Sequence, residues 1–223
     1  MRIAHVLMSG DVAGGQIVAL QLARAARDAG HDVGFVSPGE GPFLERVRDE
    51  GFHAHVVPIA RSFRIDGLAR LVALLRRSRV EVVHTHAQVA VNSLARVAGR
   101  LAGAGVVSHL HIENHFRPGR LASAPLRALD NATARLCARI LVVSEATRRA
   151  LVAQGYPERR LEVVHNGIDA DALPEPDAVA RAALAVGDDA FAVAEVARLA
   201  PVKGQRELLE ALARVPGASS SSR

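Results

Sequence analysis

The sequence predicts an α/β fold built on a doubly wound parallel sheet covered by helices on both faces. Short apolar runs alternate with segments whose apolar residues recur at helical spacing, from residue 3 to residue 164. Several runs are continuous Val, Ile and Leu, which is typical of strands buried on both faces. Hydrophobic residues make up 49% of the 223-residue chain, which is enough for a sizeable core. This pattern indicates a Rossmann-like domain.

Each element follows from its local pattern. Ile3–Leu7 is an apolar strand, and a turn with Gly14 and Gly15 leads into a helix over 16–29 that ends at Gly30. The same alternation then predicts, in order, strand 33–36, helix 42–50, strand 54–57, helix 65–78, strand 80–84, helix 88–102, strand 105–110, helix 123–136, strand 139–143, helix 144–154 and strand 161–164.

The pattern divides the chain into domains. The doubly wound domain covers 1–168, and a second domain over 169–215 contains a predicted strand at 191–196 and a helix from residue 205. Residues 216–223 form a low-complexity, serine-rich tail. Residues 170–223 hold one predicted strand and two helices, too few to bury a core of their own, so we expect this part to be poorly anchored.

Composition limits the classes of function. Cys137 is the only cysteine, which excludes a disulfide framework and a cysteine-based metal site and fits a reducing compartment. The apolar runs are shorter than the roughly 18 residues of a membrane span, so we expect a cytoplasmic protein. A net charge of +5 favours anionic partners. Nucleic acid is not expected among them, because aromatic residues are only 3% and no recognition motif is present.

Two cations follow the predicted strand 191–196. Arg198 lies at its carboxyl end and Lys203 precedes the next helix, a junction where α/β sheets bind ligands. Arg offers a planar fork to a phosphate and Lys a compact charge. Lys203 is also the only lysine among 28 basic residues. These cations suit an anion, although two solvated surface cations remain the alternative.

Together with Asn166-Gly167-Ile168-Asp169, the segment Arg198-Leu-x3-Lys203-Gly resembles the family 4 glycosyltransferases of the two-lobed GT-B fold. The resemblance implies transfer of a sugar from a nucleotide-diphosphate sugar to an acceptor hydroxyl, with retention of configuration and without a metal or other cofactor. Arg198 and Lys203 would clamp the diphosphate, and Asn166 would be a substrate-binding residue at the crossover between the lobes. Residues 1–168 would form the N-terminal, acceptor-side lobe, and 169–215 the start of the donor-binding lobe.

The resemblance also implies a Glu-x7-Glu segment downstream, for the sugar and the nucleotide ribose. The sequence ends 20 residues after Lys203 without it. We therefore expect a truncated chain that does not catalyse transfer at a useful rate by itself. The first alternative function is accordingly a non-catalytic, acceptor-binding product.

Further site residues lie in the first domain. Glycines at the start of a helix let backbone N–H groups approach an anion, and the resemblance places Gly14 and Gly15 beside the donor phosphates and the acceptor. The resemblance also implies that a histidine after the fifth strand contacts the transferred sugar or the acceptor. His111 is the favoured candidate for this catalytic position, and His109 is predicted to bind the substrate. The alternative for the two glycines is a tight structural turn. The alternative for the histidine is a structural role in a hydrogen bond.

The histidines after neighbouring strands also raise the question of a metal site. His84 and His86 follow one strand, and His109 and His111 follow the next. The rings of a His-x-His pair point the same way only while the strand continues, and Glu113 is the only accompanying carboxylate. The sequence therefore favours a cleft lining at the ends of adjacent strands over a metal site, and we predict no metal.

The acceptor and the remaining alternatives stay open. The acceptor can be a sugar, a lipid or another small molecule.

Two basic segments suit peripheral contact with an anionic membrane: the helix over 65–78, with its basic edge, and the loop 116–121. An ordinary sheet-covering helix explains the pattern over 65–78 equally well. A Rossmann-type oxidoreductase is a further alternative, although the first turn lacks the spacing Gly-x-Gly-x-x-Gly.

Overall fold

The computed structural model contains a seven-stranded parallel sheet flanked by helices. It describes residues 1–59, 65–111, 124–168, 183, 191–197, 199 and 203–215. The chain divides into two units, Met1–Gly167 and Ile168–Arg223, and the sheet belongs to the first. The predicted α/β, doubly wound, Rossmann-like fold is confirmed.

Strands and helices alternate through the first unit, and their bounds lie within two residues of the predicted ones. In chain order they are β1 Arg2–Leu7, α1 Gly14–Asp28, β2 Asp32–Ser37, α2 Pro42–Asp49, β3 His53–Val56, α3 Ile65–Arg77, β4 Val82–His86, α4 Val89–Leu101, β5 Gly105–Leu110, α5 Ala124–Ala134, β6 Arg139–Val142, α6 Glu145–Ala153 and β7 Leu161–Val163. A short 3₁₀ helix, Glu158–Arg160, precedes β7, and α7 Gln205–Leu212 lies in the second unit.

The strand order places a ligand-binding crevice at the centre of the sheet. The order is β3-β2-β1-β4-β5-β6-β7, so the chain builds outward from β1 in one direction and then from β4 in the other. Between β1 and β4 the two halves diverge at their carboxyl ends, which leaves a crevice at the topological switch point. The residues at the ends of β1, β4 and β5 therefore decide what the crevice can bind.

The core lies on both faces of the sheet. Side chains of α1 and α2 pack on one side around Leu7 and Phe35. Side chains of α3 and α4 pack on the other side around Ala4 and Val6. The apolar side of α3 is part of this second core, while its arginines are exposed, so the helix has the form of an ordinary sheet-covering helix.

A buried polar network holds α4 and α5 against β5. Arg96 and Asp130 are both fully buried and form an ion pair of 2.8 Å. The Arg96 guanidinium also donates to Ser108 Oγ at 3.0 Å, and the Tyr156 hydroxyl donates to Asp130. Ser108 immediately precedes His109, so this network fixes the strand that carries the histidines.

In the second unit, the helix predicted from residue 205 is confirmed as α7, but the predicted strand 191–196 is wrong. Residues 191–197 have no regular secondary structure, and Phe191 and Val196 are 94% and 99% exposed. An apolar run becomes a strand only when another strand supplies hydrogen bonds, and the described part of this unit contains none.

Among the residues covered by the structure, no helix is long and apolar enough to span a bilayer.

Candidate functional site

Five histidines cluster on one face of the sheet at the switch point. Strand residues alternate between the two faces, so His84 and His86 of β4 share a face, as do His109 and His111 along β5 and its extension. In the parallel register His5 of β1 pairs with His84. Thr85 of β4 pairs with Ser108 of β5. The next residue on each strand, His86 and His109, therefore lies beside the other in the sheet. Pairing thus brings histidines from three strands together.

Hydrogen bonds join three of these rings in a row. His5 Nδ1 lies 3.0 Å from His86 Nε2, and His86 Nδ1 lies 3.2 Å from His111 Nε2. The His109 ring stacks on the His111 ring with centroids 4.2 Å apart. The row runs from the middle of β1 to the carboxyl end of β5, where His111 is partly exposed.

Burial keeps these imidazoles neutral. Desolvation, reinforced by the neighbouring histidines, lowers the pKa of His5 to about 4 and the pKa values of His84 and His109 to about 3. Burial also lowers the pKa of His111, and the pKa of His86 falls well below its ordinary value for the same reason. At neutral pH each ring can therefore offer one N–H donor and one nitrogen acceptor.

The start of α1 meets this cluster at Gly15. A Cβ on Gly15 would lie 2.9 Å from His111 Cδ2, whereas a Cβ on Gly14 would have no atom within 4 Å. Glycine at position 15 thus makes room for the His111 ring. The N-cap residue Ala13 makes no side-chain cap, and the first turn of α1 carries no acidic residue. That helix terminus suits an anion, because its N–H groups and dipole favour negative charge.

The neighbouring loop braces the turn before α1 by backbone contact. Gly10 O accepts a hydrogen bond of 2.8 Å from the backbone N–H of Phe43, at the start of α2. A Cβ on Gly41 would lie 2.5 Å from Gly10 O, and a Cβ on Gly10 would lie 2.6 Å from the Glu40 carbonyl carbon. The two loops pack this closely only because both positions are glycine.

The structure brings Gly15, His109 and His111 of the sequence-predicted site residues together, with Gly14 next to them. His109 is buried, with 3% of its surface exposed, while His111 reaches the surface beside Gly15. Asn166 lies exposed after β7, at the end of the first unit.

The two predicted diphosphate-clamping cations belong to the second unit. Lys203 is exposed and precedes Gly204, whose φ of +83° marks the left-handed turn that leads into α7. Arg198 lies outside the described residues. Their predicted contact with a diphosphate remains a prediction.

Sequence reasoning missed two features of this site. His5 looked like one polar residue in an apolar strand, and only its pairing with His84 brings it into the cluster. The predicted strand also ended at residue 84, which left the relative direction of the His84 and His86 rings open. β4 continues to His86, so both rings lie on the same face with centroids 4.2 Å apart. The alternation His-Thr-His was the available signal, since it continues the period of a strand past its apolar part.

Comparison with protein families identifies relatives over most of the chain. The family model for Glycosyltransferase Family 4 matches residues 12–172. The chain is 26% identical over 223 residues to the UDP-Gal:alpha-D-GlcNAc-diphosphoundecaprenol alpha-1,3-galactosyltransferase of Escherichia coli, covering 95% of this chain and 57% of that enzyme. It is 28% identical over 240 residues to the D-inositol 3-phosphate glycosyltransferase of Mycolicibacterium smegmatis, covering 94% and 53% of the two chains.

Solved structures share the fold. Anabaena HepE in complex with UDP superposes with a TM-score of 0.80 at 21% identity, over 99% of this chain and 59% of that one. A glycosyltransferase from Rickettsia africae gives a TM-score of 0.74 at 17% identity, over 98% and 58%. The chain thus spans somewhat more than half the length of these four proteins.

Proposed function

Because the chain belongs to glycosyltransferase family 4, we propose that it serves the transfer of a sugar from a nucleotide-diphosphate sugar to an acceptor hydroxyl. The nucleotide-sugar donor is supported by the relatives. The E. coli relative is named for UDP-Gal, and HepE has been solved with UDP and with UDP-glucose. The family assignment also removes the reason to consider a nicotinamide-dependent oxidoreductase.

The observation that carries the proposal is the contact between Gly15 and His111 at the switch point. The start of α1 can approach a phosphate or a sugar there through its backbone N–H groups. His111 lies beside it as a neutral imidazole. Its Nε2 faces His86 and its buried Nδ1 has no partner among the described residues, so in our proposal the ring turns to offer one nitrogen to a sugar hydroxyl. In our proposal His111 orients the transferred sugar or the acceptor hydroxyl, and buried His109 supports it by stacking.

The proposed chemistry needs positive charge where the nucleoside diphosphate departs. Negative charge builds up on this leaving group as the glycosidic bond breaks, and fixed cations lower the barrier by stabilising it. Arg198 and Lys203 are our candidates for that role. In this scheme the transfer step requires no metal ion.

The names of the two relatives indicate a class of acceptor. One is named for a diphosphoundecaprenol-linked sugar and the other for inositol 3-phosphate, and both names contain a phosphate group. We therefore place a phosphorylated sugar or polyol, free or lipid-linked, first among the acceptors. We expect such a compound to bind more tightly than a neutral sugar of the same size, which is the matched control compound.

Calorimetric titration of the 223-residue chain with UDP-, GDP- and dTDP-sugars tests the proposal. We expect at least one of them to bind, and we expect His111→Ala to weaken that binding about tenfold, the loss of roughly one hydrogen bond of 1.4 kcal/mol. His53→Ala is the matched control, because His53 is an exposed histidine at the first residue of β3. Absence of binding by every nucleotide sugar, or equal affinity of the His111 variant, would contradict the proposal.

A further inference from the structure

We propose that His86, His109 and His111 form a binding site for a borderline transition-metal dication, with Zn²⁺ as the best fit. One ring nitrogen from each residue lies within 4.8 Å of those of the other two. The site goes beyond the proposed sugar transfer, which needs no metal, and it replaces the sequence-based expectation that the histidines bind none.

The sheet itself sets the geometry of the three ligands. His86 is the last residue of β4, and His109 and His111 lie on and just beyond neighbouring β5. Their ring centroids are 4.2 to 5.5 Å apart. His86 and His109 lie on paired strands, which hold a ligand more firmly than a loop does.

Two of the donor atoms already have the separation that a metal requires. His86 Nδ1 and His111 Nε2 are 3.2 Å apart. Zn–N bonds of about 2.0–2.1 Å in a tetrahedron place neighbouring nitrogens about 3.3 Å apart. The distance therefore suits either a hydrogen bond or two ligands of one ion. His109 is the group that would move inward to complete the set.

His109 gives independent support. Only 3% of its surface is exposed, yet neither of its ring nitrogens has a hydrogen-bond partner among the residues that the structure describes. A buried polar atom without a partner has lost its hydration without compensation, so such groups are rare without a ligand. A metal ion bound by one nitrogen would offset this cost.

His5 supplies the outer hydrogen bond that metal-binding histidines commonly have. It lies 3.0 Å from His86 Nε2, the nitrogen that would face away from the ion, and its own ring stacks on Phe35. A second triad, His5, His84 and His86, is also close enough to bind an ion. Either triad would replace one hydrogen bond of the row, His86–His111 in the first and His5–His86 in the second. We favour the first triad because both ring nitrogens of buried His109 are without a described partner.

The donor chemistry selects the kind of ion. Neutral imidazoles suit Zn²⁺, Cu²⁺, Ni²⁺ and Co²⁺, whereas Mg²⁺ and Ca²⁺ prefer oxygen ligands, and the triad contains none. Three nitrogens leave a fourth tetrahedral position for water or another ligand. On the proposed function, an ion held by His111 would fix the ring that we expect to contact the substrate, so we expect Zn²⁺ to compete with nucleotide sugars.

Titration of the untagged, chelator-treated 223-residue chain with Co²⁺ tests the site, because tetrahedral Co²⁺ absorbs visible light strongly. We expect one equivalent of Co²⁺ to give this absorption and Zn²⁺ to abolish it by displacement. His109→Gln and His111→Gln should each lower the Co²⁺ affinity at least tenfold. His53→Gln is the matched control and should leave the affinity unchanged.

The variants separate binding from folding and from sugar transfer. His111 is partly exposed, so His111→Gln stays informative if His109→Gln unfolds, which circular dichroism would show. Absence of the tetrahedral spectrum, its persistence in the His111→Gln variant, or its loss in the His53→Gln variant would overturn the proposal. These outcomes do not depend on nucleotide-sugar binding, so failure of the proposed function would leave the metal result intact.

Discussion

At the scale of single residues, the site depends on which side chains are absent as much as on those present. Gly15 leaves room for the His111 ring, and adjacent Gly14 faces open space. The sequence predicted glycines at the start of the first helix as an approach for an anion. It gave no reason to distinguish the two, because the ring that fills the space at Gly15 is 96 residues away.

This contrast predicts different effects for two alanine substitutions. Gly15→Ala should lower the free energy of unfolding by about 1 kcal/mol, because the new methyl group would lie 2.9 Å from His111 Cδ2 and force the ring to move. Gly14→Ala should leave it unchanged or raise it slightly, since alanine favours the helix. Urea unfolding of both variants checks this, and equal stabilities would show that the close contact is unimportant.

The buried histidines predict a loss of stability in mild acid. Their pKa values fall from 6.5 to about 4 for His5 and to about 3 for His84 and His109, so the unfolded chain binds protons first as the pH falls. The free energy of unfolding should be level between about pH 7 and pH 8. Below pH 6.5 it should decrease by up to about 1.4 kcal/mol per pH unit for each such histidine.

Urea unfolding of chelator-treated protein between about pH 7 and pH 5 measures this slope. His84→Gln should make it shallower, because one depressed titration is removed. The control variant His53→Gln should not change it. A free energy of unfolding that is independent of pH in this range would contradict the prediction. It would mean that the rings take up protons in the folded protein as readily as in the unfolded chain.

At the scale of elements, the strands and helices followed from periodicity, but the groups between them did not. The pattern placed every strand and α-helix of the first unit within two residues, because each strand is a short apolar run between turns and helices. It did not predict the short 3₁₀ helix Glu158–Arg160. The pairing of His5 with His84 depends on register, which one sequence does not show. Arg96 and Asp130 are likewise 34 residues apart in the sequence, and only the fold brings them together inside the core.

The Arg96–Asp130 pair yields a prediction about the packing of α4 and α5. Asp130→Ala leaves a fully buried guanidinium without its counter-ion and should lower the free energy of unfolding by about 3–5 kcal/mol. Asp28→Ala, at the exposed end of α1, is the control and should change it by less than about 0.5 kcal/mol. Thermal and urea unfolding measure both variants, and a small effect at Asp130 would mean that solvent reaches the pair.

At the scale of the whole molecule, the two units differ in how far the sequence predicted them. The first has a complete pattern of strands that pair with one another, so its topology followed from the general rules for parallel sheets. In the second, the apolar run at 191–196 predicted a strand, but the exposed side chains of Phe191 and Val196 show that local propensity alone does not produce one. The residues that lie together in the described site belong to the first unit.

The central claim is that the switch-point crevice beside Gly15 and His111 binds a sugar substrate. Nuclear magnetic resonance of the ¹⁵N-labelled histidine rings, recorded while a nucleotide-diphosphate sugar is added, tests it most directly. We predict a saturable shift of the His111 ring signals, a smaller shift for His109 and no change for His53. Binding that leaves the His111 signals unchanged, or that shifts the His53 signals instead, would contradict the claim.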